Sequence, residues 1–431
     1  VLTICPHAGA LVAVQLFFFA LLVTEFLMLG YDHGVSFKIL AVLGAAVSLL
    51  PNQVLFSISP VKDYPYTLAL LWITYLLVRL ILEPKELWKW RFLAALSLSL
   101  FLVYGFRHNG IMPFTALLLL FGWITWRHFP RVKFKLAEAG LAAVLLVITY
   151  KGPIFSLFQV SQDLSMSSYT TMLCAVASCI NKDLPLSEES NAIMESILPL
   201  DQWADYYDRY WGHDPYYWGR GEENESAYPF DPSQVTAKEA FTVYLEALQK
   251  YPDVVIKDRL DGTDLLWDVQ QPADSYNIKG FYGTAIAETD HVSEYFEFGS
   301  MEPGVNYYNQ SDLADFYLRK MYIPENNVFD MLLWRAGIYL ILLMALGLFW
   351  WKNQMKTLFS AAVPLLGQLA GMMLVLYHQS YRYISAVQSL TLALVFCSVC
   401  LRGAQTAKAH SQLETEKPSS ENREANKTER N

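Results

Sequence analysis

Four places in the chain set charged or hydrogen-bonding residues at the edge of an apolar run: Lys62 with Asp63; Arg107, His108 and Asn109; Lys151; and His378 with Arg382. Charges beside such runs are costly unless paired, hydrated or functional. Three or four cations around one carboxylate suit a phosphate or diphosphate group, because arginine offers a planar fork and lysine a point charge. Asp63 in that seat could act as general base on an acceptor hydroxyl while the cations stabilise a departing phosphate. The plainer reading has the cations snorkelling to lipid headgroups, Asp63 paired with Lys62, and His108 as a hydrogen-bonded interface residue. No metal site is assigned, since Asp63 has no second carboxylate within ligand spacing in its own loop.

The elements that must position these residues are apolar helices. Of the 431 residues, 54% are hydrophobic and 15% aromatic, with a mean hydropathy of +0.23, above what a soluble chain of this length carries. About 20 helical residues cross the hydrocarbon of a bilayer, and nine segments qualify: about 9–30, 37–58, 66–83, 92–106, 111–126, 137–157, 329–350, 357–377 and 384–401. The fourth and fifth are short and form a helical hairpin around Arg107-His108-Asn109-Gly110. The fold class expected is therefore an α-helical polytopic membrane protein with about nine transmembrane helices and a mainly α external domain. Its parts are a membrane domain over 1–157, the external domain over 158–328, a second membrane portion over 329–402, and a disordered cytoplasmic tail over 403–431.

Orientation follows from the short loops that carry Lys85, Lys89 and Arg91, then Arg127, Arg131, Lys133 and Lys135, then Lys352 and Lys356. The positive-inside rule makes these cytoplasmic, and alternation puts every candidate site residue on the outer face. The formal charge of −9 hides two populations. Residues 158–328 hold 29 of the 41 acids and 10 of the 32 bases, so an acidic module is set in a basic scaffold and nucleic-acid binding has no support. A chain starting at Val1-Leu2-Thr3 with an exported N-terminus reads as a fragment lacking at least one upstream helix.

Within 158–328, Thr236-Ala237-Lys238-Glu239 reads as a capping box opening a helix with Phe241, Tyr244, Leu245 and Leu248 on one face. Ser187-Glu188-Glu189 opens another, with Ile193, Ile197 and Leu198 as its apolar stripe. The aromatic, acidic stretch from Trp203 to Tyr228 suits either sugar stacking or ordinary packing. Cys174 and Cys179 fall too far apart on a helix to pair, and Cys397 with Cys400 read as packing residues. There is no phosphate loop, dinucleotide fingerprint or nucleophile elbow.

Several short motifs carry a resemblance. Pro60-Val61-Lys62-Asp63 leading into a helix, the Arg107-His108-Asn109-Gly110 turn, and Ser380-Tyr381-Arg382-Tyr383 opening the last helix resemble bacterial membrane proteins related to the C superfamily of glycosyltransferases. Leu186-Ser187-Glu188-Glu189 and Tyr251-Pro252-Asp253 are similar too. The resemblance implies a multi-pass enzyme of the bacterial plasma membrane. Its partners would be a polyprenyl-phosphate-linked sugar, membrane lipid, and an envelope glycan or lipid acceptor, with no certain cofactor and room for a divalent cation.

Asp63 occupies the second of the superfamily's two acidic positions if residues 9–30 are its second helix; the first acid has no counterpart here. Arg382 and Tyr383 are similar to an Arg-Tyr pair near the external start of a late helix, which implies lipid-phosphate contact at Arg382 and, by extension, at Arg107. The same cations would also serve a transporter or flippase of a lipid-linked precursor, and a non-catalytic subunit is the third reading.

Overall fold

The computed structural model describes residues 8–58, 61–128, 132, 134–159, 167–210, 212, 234–272, 328–376 and 379–416. Every element among them is helical. A bundle is built from α1 (Ala8–Asp32), α2 (Phe37–Ser48), α3 (Pro51–Ile58), α4 (Asp63–Leu82), α5 (Trp90–Phe106), α6 (Ile111–Arg127) and α7 (Lys135–Thr149). After an inserted module, α13 (Val328–Trp334), α14 (Gly337–Lys352), α15 (Val363–Val375) and α16 (Tyr381–Glu416) return to it. The module contributes α8 (Ser167–Ile180), α9 (Glu188–Ile197), α10 (Ala237–Lys250), α11 (Pro252–Gly262) and the single turn α12 (Asp264–Trp267).

Among the described residues, five helical stretches are long and apolar enough to cross a membrane: Ala10–Asp32, Asp63–Leu82, His108–Arg127, Lys135–Leu157 and Tyr381–Gly403. Counting α2 and α3 as one span bent by 61° makes six, so the expected nine is not reached. The difference lies in two segments that break and in one that is as short as the sequence indicated. The segment expected over 92–106 is the 17-residue α5; that over 329–350 is broken at Arg335 and leaves the 16-residue α14; that over 357–377 is broken before Pro364 and leaves the 13-residue α15. Proline at a first helical turn keeps its own geometry but forbids a continuous helix through it. Pro51 has the same effect between α2 and α3.

Helix α4 is the axis of the bundle. Its side chains from Asp63 to Val78 are nearly all buried, and it packs against α1, α5, α15 and α16. Two glycines allow the close approaches that shape the module end of the bundle. A Cβ on Gly110 would lie 1.9 Å from the Val103 carbonyl, so only glycine closes the α5–α6 hairpin this tightly. A Cβ on Gly367 would lie 2.5 Å from the Pro113 Cα, and Gly371 one turn on faces Met112. This small-x-x-x-small stripe lets α15 lie directly on α6 and beside the 108–110 turn.

The inserted module has its own core, including Leu173, Val176, Met194, Trp203, Val243 and Val255. The capping box at Thr236 and Glu239 is formed in both directions. The face of α10 that turns inward is shifted from the expected one: Ala240, Val243 and Ala247 are buried with Tyr244 and Leu248 packed beside them, while Phe241 and Leu245 are exposed. Helix α10 lies on α8, where Ala175 and Ala177 are also buried, so small residues on both sides set the crossing. Trp203 is 0% exposed and donates its indole N–H to the Leu198 carbonyl at 2.9 Å. That makes it a packing residue rather than a stacking platform; most of the stretch that follows it lies outside the described residues. Cys174, Cys179, Cys397 and Cys400 are buried free thiols.

The module is fixed to the bundle by polar contacts. Arg259 donates to the Met373 carbonyl at 2.9 Å and to the Leu376 carbonyl, satisfying the open C-terminal end of α15. Asp264 and Arg335 form an ion pair of 2.8 Å between side chains that are 2% and 0% exposed, and Gln379 donates to the same carboxylate. Leu265 and Leu266 enter the bundle core beside Trp334. Helix α16 also continues past the expected boundary at Arg402, because Ala, Gln, Lys and Glu dominate the run to Glu416 and are good helix formers.

Candidate functional site

The break between α3 and α4 brings Lys62 and Asp63 to the module end of the bundle. Asp63 is the first residue of α4 and is 2% exposed; Lys62 before it is exposed. Arg107 ends α5 in an extended conformation, with φ −151°, which swings its side chain off the helix axis and across to α4. Its Nη1 lies 2.6 Å from Asp63 Oδ1. The expected partner of Asp63 was its neighbour Lys62; the partner found is an arginine 44 positions further on. Asp63 lies on the buried face of α4 while Lys62 is exposed, so Arg107, which reaches that face from the end of α5, supplies the charge where Lys62 stays outside.

The Arg107 guanidinium also faces aromatic rings. It lies 4.4 Å from the Tyr383 ring centroid and 5.9 Å from that of Tyr66. Tyr66 is held in turn by its O–H donating to the Gln368 side chain. Arg382 takes the other end of the same tyrosine: Nη2 donates to Tyr383 Oη at 2.7 Å, and the guanidinium carbon lies 4.8 Å from the ring centroid. Tyr383 thus links two arginines from different parts of the chain through one buried ring. Cation–aromatic contacts in desolvated positions are worth about 2 kcal/mol and help to hold both arginines in place.

Around this core lie further basic residues. His108 is exposed in the turn after Arg107 and feels the charges of Lys151, Lys62 and Arg107. Lys151 sits in one turn of π-helix over Tyr150–Ile154, which also carries Pro153, and its ammonium lies 5.0 Å from the Phe155 ring and 5.8 Å from that of Tyr104. A π-turn at this point rotates Lys151 toward the 107–110 turn. The structure therefore brings Asp63, Arg107, Arg382 and Tyr383 into direct contact and sets Lys62, His108 and Lys151 within electrostatic reach. His378 lies outside the described residues. No group of three or more His, Cys, Asp or Glu able to hold a metal ion occurs among the described residues.

Among the described residues this end of the bundle gathers Lys62, Arg107, Lys151 and Arg382 around the one carboxylate of Asp63. Asp63 faces inward on Arg107, so an incoming ligand first meets Lys62, His108, Lys151 and Arg382, and reaches Arg107 only by displacing Asp63. The arrangement can hold an anion with two or more oxygens; it does not present an open carboxylate.

Sequence reasoning missed two supports. Tyr66 and Gln368 brace Arg107 from beneath and carried no signal, since a tyrosine and a glutamine inside apolar runs are unremarkable in type. Arg335 did carry one: it is a cation inside the run Met331-Leu332-Leu333-Trp334-Arg335-Ala336, and intramembrane charges usually have a named partner. Its pair with Asp264, together with Gln379, fixes the segment that leads into Tyr381-Arg382-Tyr383.

Comparison of the chain with protein-family models, curated proteins and solved structures found no match.

Proposed function

We propose that the protein is a membrane glycosyltransferase that moves a sugar from a polyprenyl-phosphate carrier to a cell-envelope acceptor, at the outer face of a bacterial plasma membrane. In this reading nine segments cross the bilayer, the shorter helices α5, α14 and α15 among them. The inserted module and the site share the outer side. The observation that carries the reading is the meeting of Arg107 and Arg382 on Tyr383, with Lys62, Lys151 and His108 around them.

Arg382, Lys151 and Lys62 would hold the carrier's phosphate and stabilise the negative charge that grows on it as the glycosidic bond breaks. Asp63 keeps Arg107 extended toward that position. An incoming phosphate competes with Asp63 for Arg107, and the carboxylate it frees is the base for the acceptor hydroxyl. Transfer from a polyprenyl-phosphate-linked sugar by the reconstituted protein tests this. Asp63→Asn and Arg382→Ala should each lower the rate at least tenfold while membrane insertion stays normal; unchanged transfer by either variant removes that residue from the site.

One observation favours translocation of a lipid-linked precursor as a second reading. The bent pair α2–α3 carries a buried polar network: Asn52 donates to Leu333 O at 2.7 Å and to Gln388 Oε1 at 2.9 Å, and Gln53 donates to Tyr381 Oη at 3.2 Å. Broken helices lined by polar groups serve transport sites. Movement of labelled lipid across proteoliposomes without sugar transfer would select it.

A further inference from the structure

Helices α1, α4 and α5 enclose an apolar groove of about 620 Å³, within the range of small-molecule sites. Its walls include Phe18 and Leu22 of α1, Leu68 and Trp72 of α4, and Ala95 and Leu102 of α5. Phe18 and Leu21 on its rim are exposed, so the groove opens sideways to the surface of the bundle. It runs along α4 from Pro65 to Arg79, about 21 Å at 1.5 Å per residue.

The two ends of the groove differ in charge. None of Lys62, Arg107, Lys151 and Arg382 lines it, although Pro65 and Phe106 do. At the far end it is lined by Arg79, Lys89 and Arg91 together with Glu86. Glu86 is buried and shared: Arg79 lies 3.5 Å from it and Lys89 is hydrogen-bonded to it. Arg91 is exposed, stacks 5.6 Å from the Trp90 ring, and has no carboxylate partner among the described residues. Glu25, the other acid in the wall, is engaged by the Tyr75 hydroxyl at 2.7 Å. Exposed Trp88 and Trp90 flank this mouth, as tryptophans do where a membrane meets water.

An apolar lateral groove that ends at the exposed cations Lys89 and Arg91 beside interfacial tryptophans matches an anionic phospholipid: acyl chain in the groove, phosphate on Lys89 and Arg91. We propose that this groove binds one anionic glycerophospholipid, with its headgroup at the end of the bundle opposite the candidate site. The proposal rests on membrane placement and is independent of sugar transfer. Charge complementarity decides against a second helix in the groove, since an apolar helix would leave Arg91 without an anion.

The test is lipid binding to the full chain in neutral detergent, by native mass spectrometry and thermal shift, with dioleoyl phosphatidylglycerol against dioleoyl phosphatidylcholine. Phosphatidylglycerol should be retained at one per chain and bind at least tenfold more tightly. Arg91→Gln, which breaks no ion pair, should cut that preference at least threefold, and Lys89→Gln with Arg91→Gln should abolish it. Ala95→Trp, which fills the groove, should weaken both lipids. Lys352→Gln with Lys356→Gln, also expected on the cytoplasmic side, should change nothing. Equal binding of the two lipids, an unchanged preference in the Lys89/Arg91 variants, or an equal loss in the Lys352/Lys356 control would overturn the proposal. So would displacement of the lipid by a second copy of the chain.

Discussion

Replacing Arg107 by methionine keeps most of the side-chain length and removes the charge that faces Asp63. The two groups touch at 2.6 Å and are 7% and 3% exposed at the side chain, so solvent screens them little. Charge centres about 4 Å apart attract by about 4 kcal/mol at an effective dielectric near 20. Burying each ion costs several kcal/mol, so the intact pair contributes close to nothing net. Breaking it is another matter. Asp63 would be left charged and buried beside Tyr66, at a cost of about 3–5 kcal/mol, and the stacking of Arg107 on Tyr383 would go with it.

The double variant Asp63→Leu with Arg107→Met removes both charges and should return to within about 2 kcal/mol of the parent, giving a coupling energy of at least 2 kcal/mol. Unfolding of the four proteins of this cycle, in detergent micelles and followed by tryptophan fluorescence, measures it. A loss below about 1 kcal/mol for Arg107→Met, or additive single losses, would refute the reasoning. The double variant also separates structure from function: it should be folded and inactive in sugar transfer.

Helix contact at Gly367 predicts a contrast. Gly367→Ala pushes a Cβ to 2.5 Å from the Pro113 Cα and should cost about 1–3 kcal/mol, whereas at Gly371 the nearest atoms, Met112 Cβ and Cγ, lie at 3.1 Å and Gly371→Ala should cost less; equal melting points would count against the packing. In the inserted module, burial works to raise Glu246, but hydrogen bonds from Lys250, Ser187 and Ser190 outweigh it and hold the carboxyl at about 2. Burial pushes Asp258 the other way, to about 6, against the lowering effect of the Tyr207 hydrogen bond. Protonating Asp258 therefore stabilises the folded module as pH falls below about 6. The contribution of Glu246, present above its ordinary value of 4.5, is lost as pH falls toward 2. Hydrogen exchange over residues 167–262 of the full chain should show greatest protection near pH 4–5, and a steady decline from pH 7 downward would contradict it. Reporters fused after Lys135 and after Trp203 should lie on opposite sides of the membrane, and the same side for both would sink the topology.

The sequence alone determined which residues are polar at the ends of apolar runs, and alternation along the chain was enough to gather Asp63, Arg107, Lys151 and Arg382 at one end of the bundle. Helix type and caps were legible for the same reason: the capping box at Thr236 and the prolines act through neighbours a few positions away. Helix length was less legible, because the breaks at Arg335 and before Pro364 divide runs whose hydropathy is continuous. Partner choice was not legible at all. Lys62 adjoins Asp63 in the chain, yet the helix start turns Asp63 inward to Arg107. Tyr383 holds two arginines because α16 packs against α4, and Arg335 finds its carboxylate in a module inserted many residues away. Those pairings depend on side-chain direction and on close helix contacts at Gly110 and Gly367, which tertiary packing sets. That packing also turned Asp63 from an exposed base into the buried counterion of an arginine.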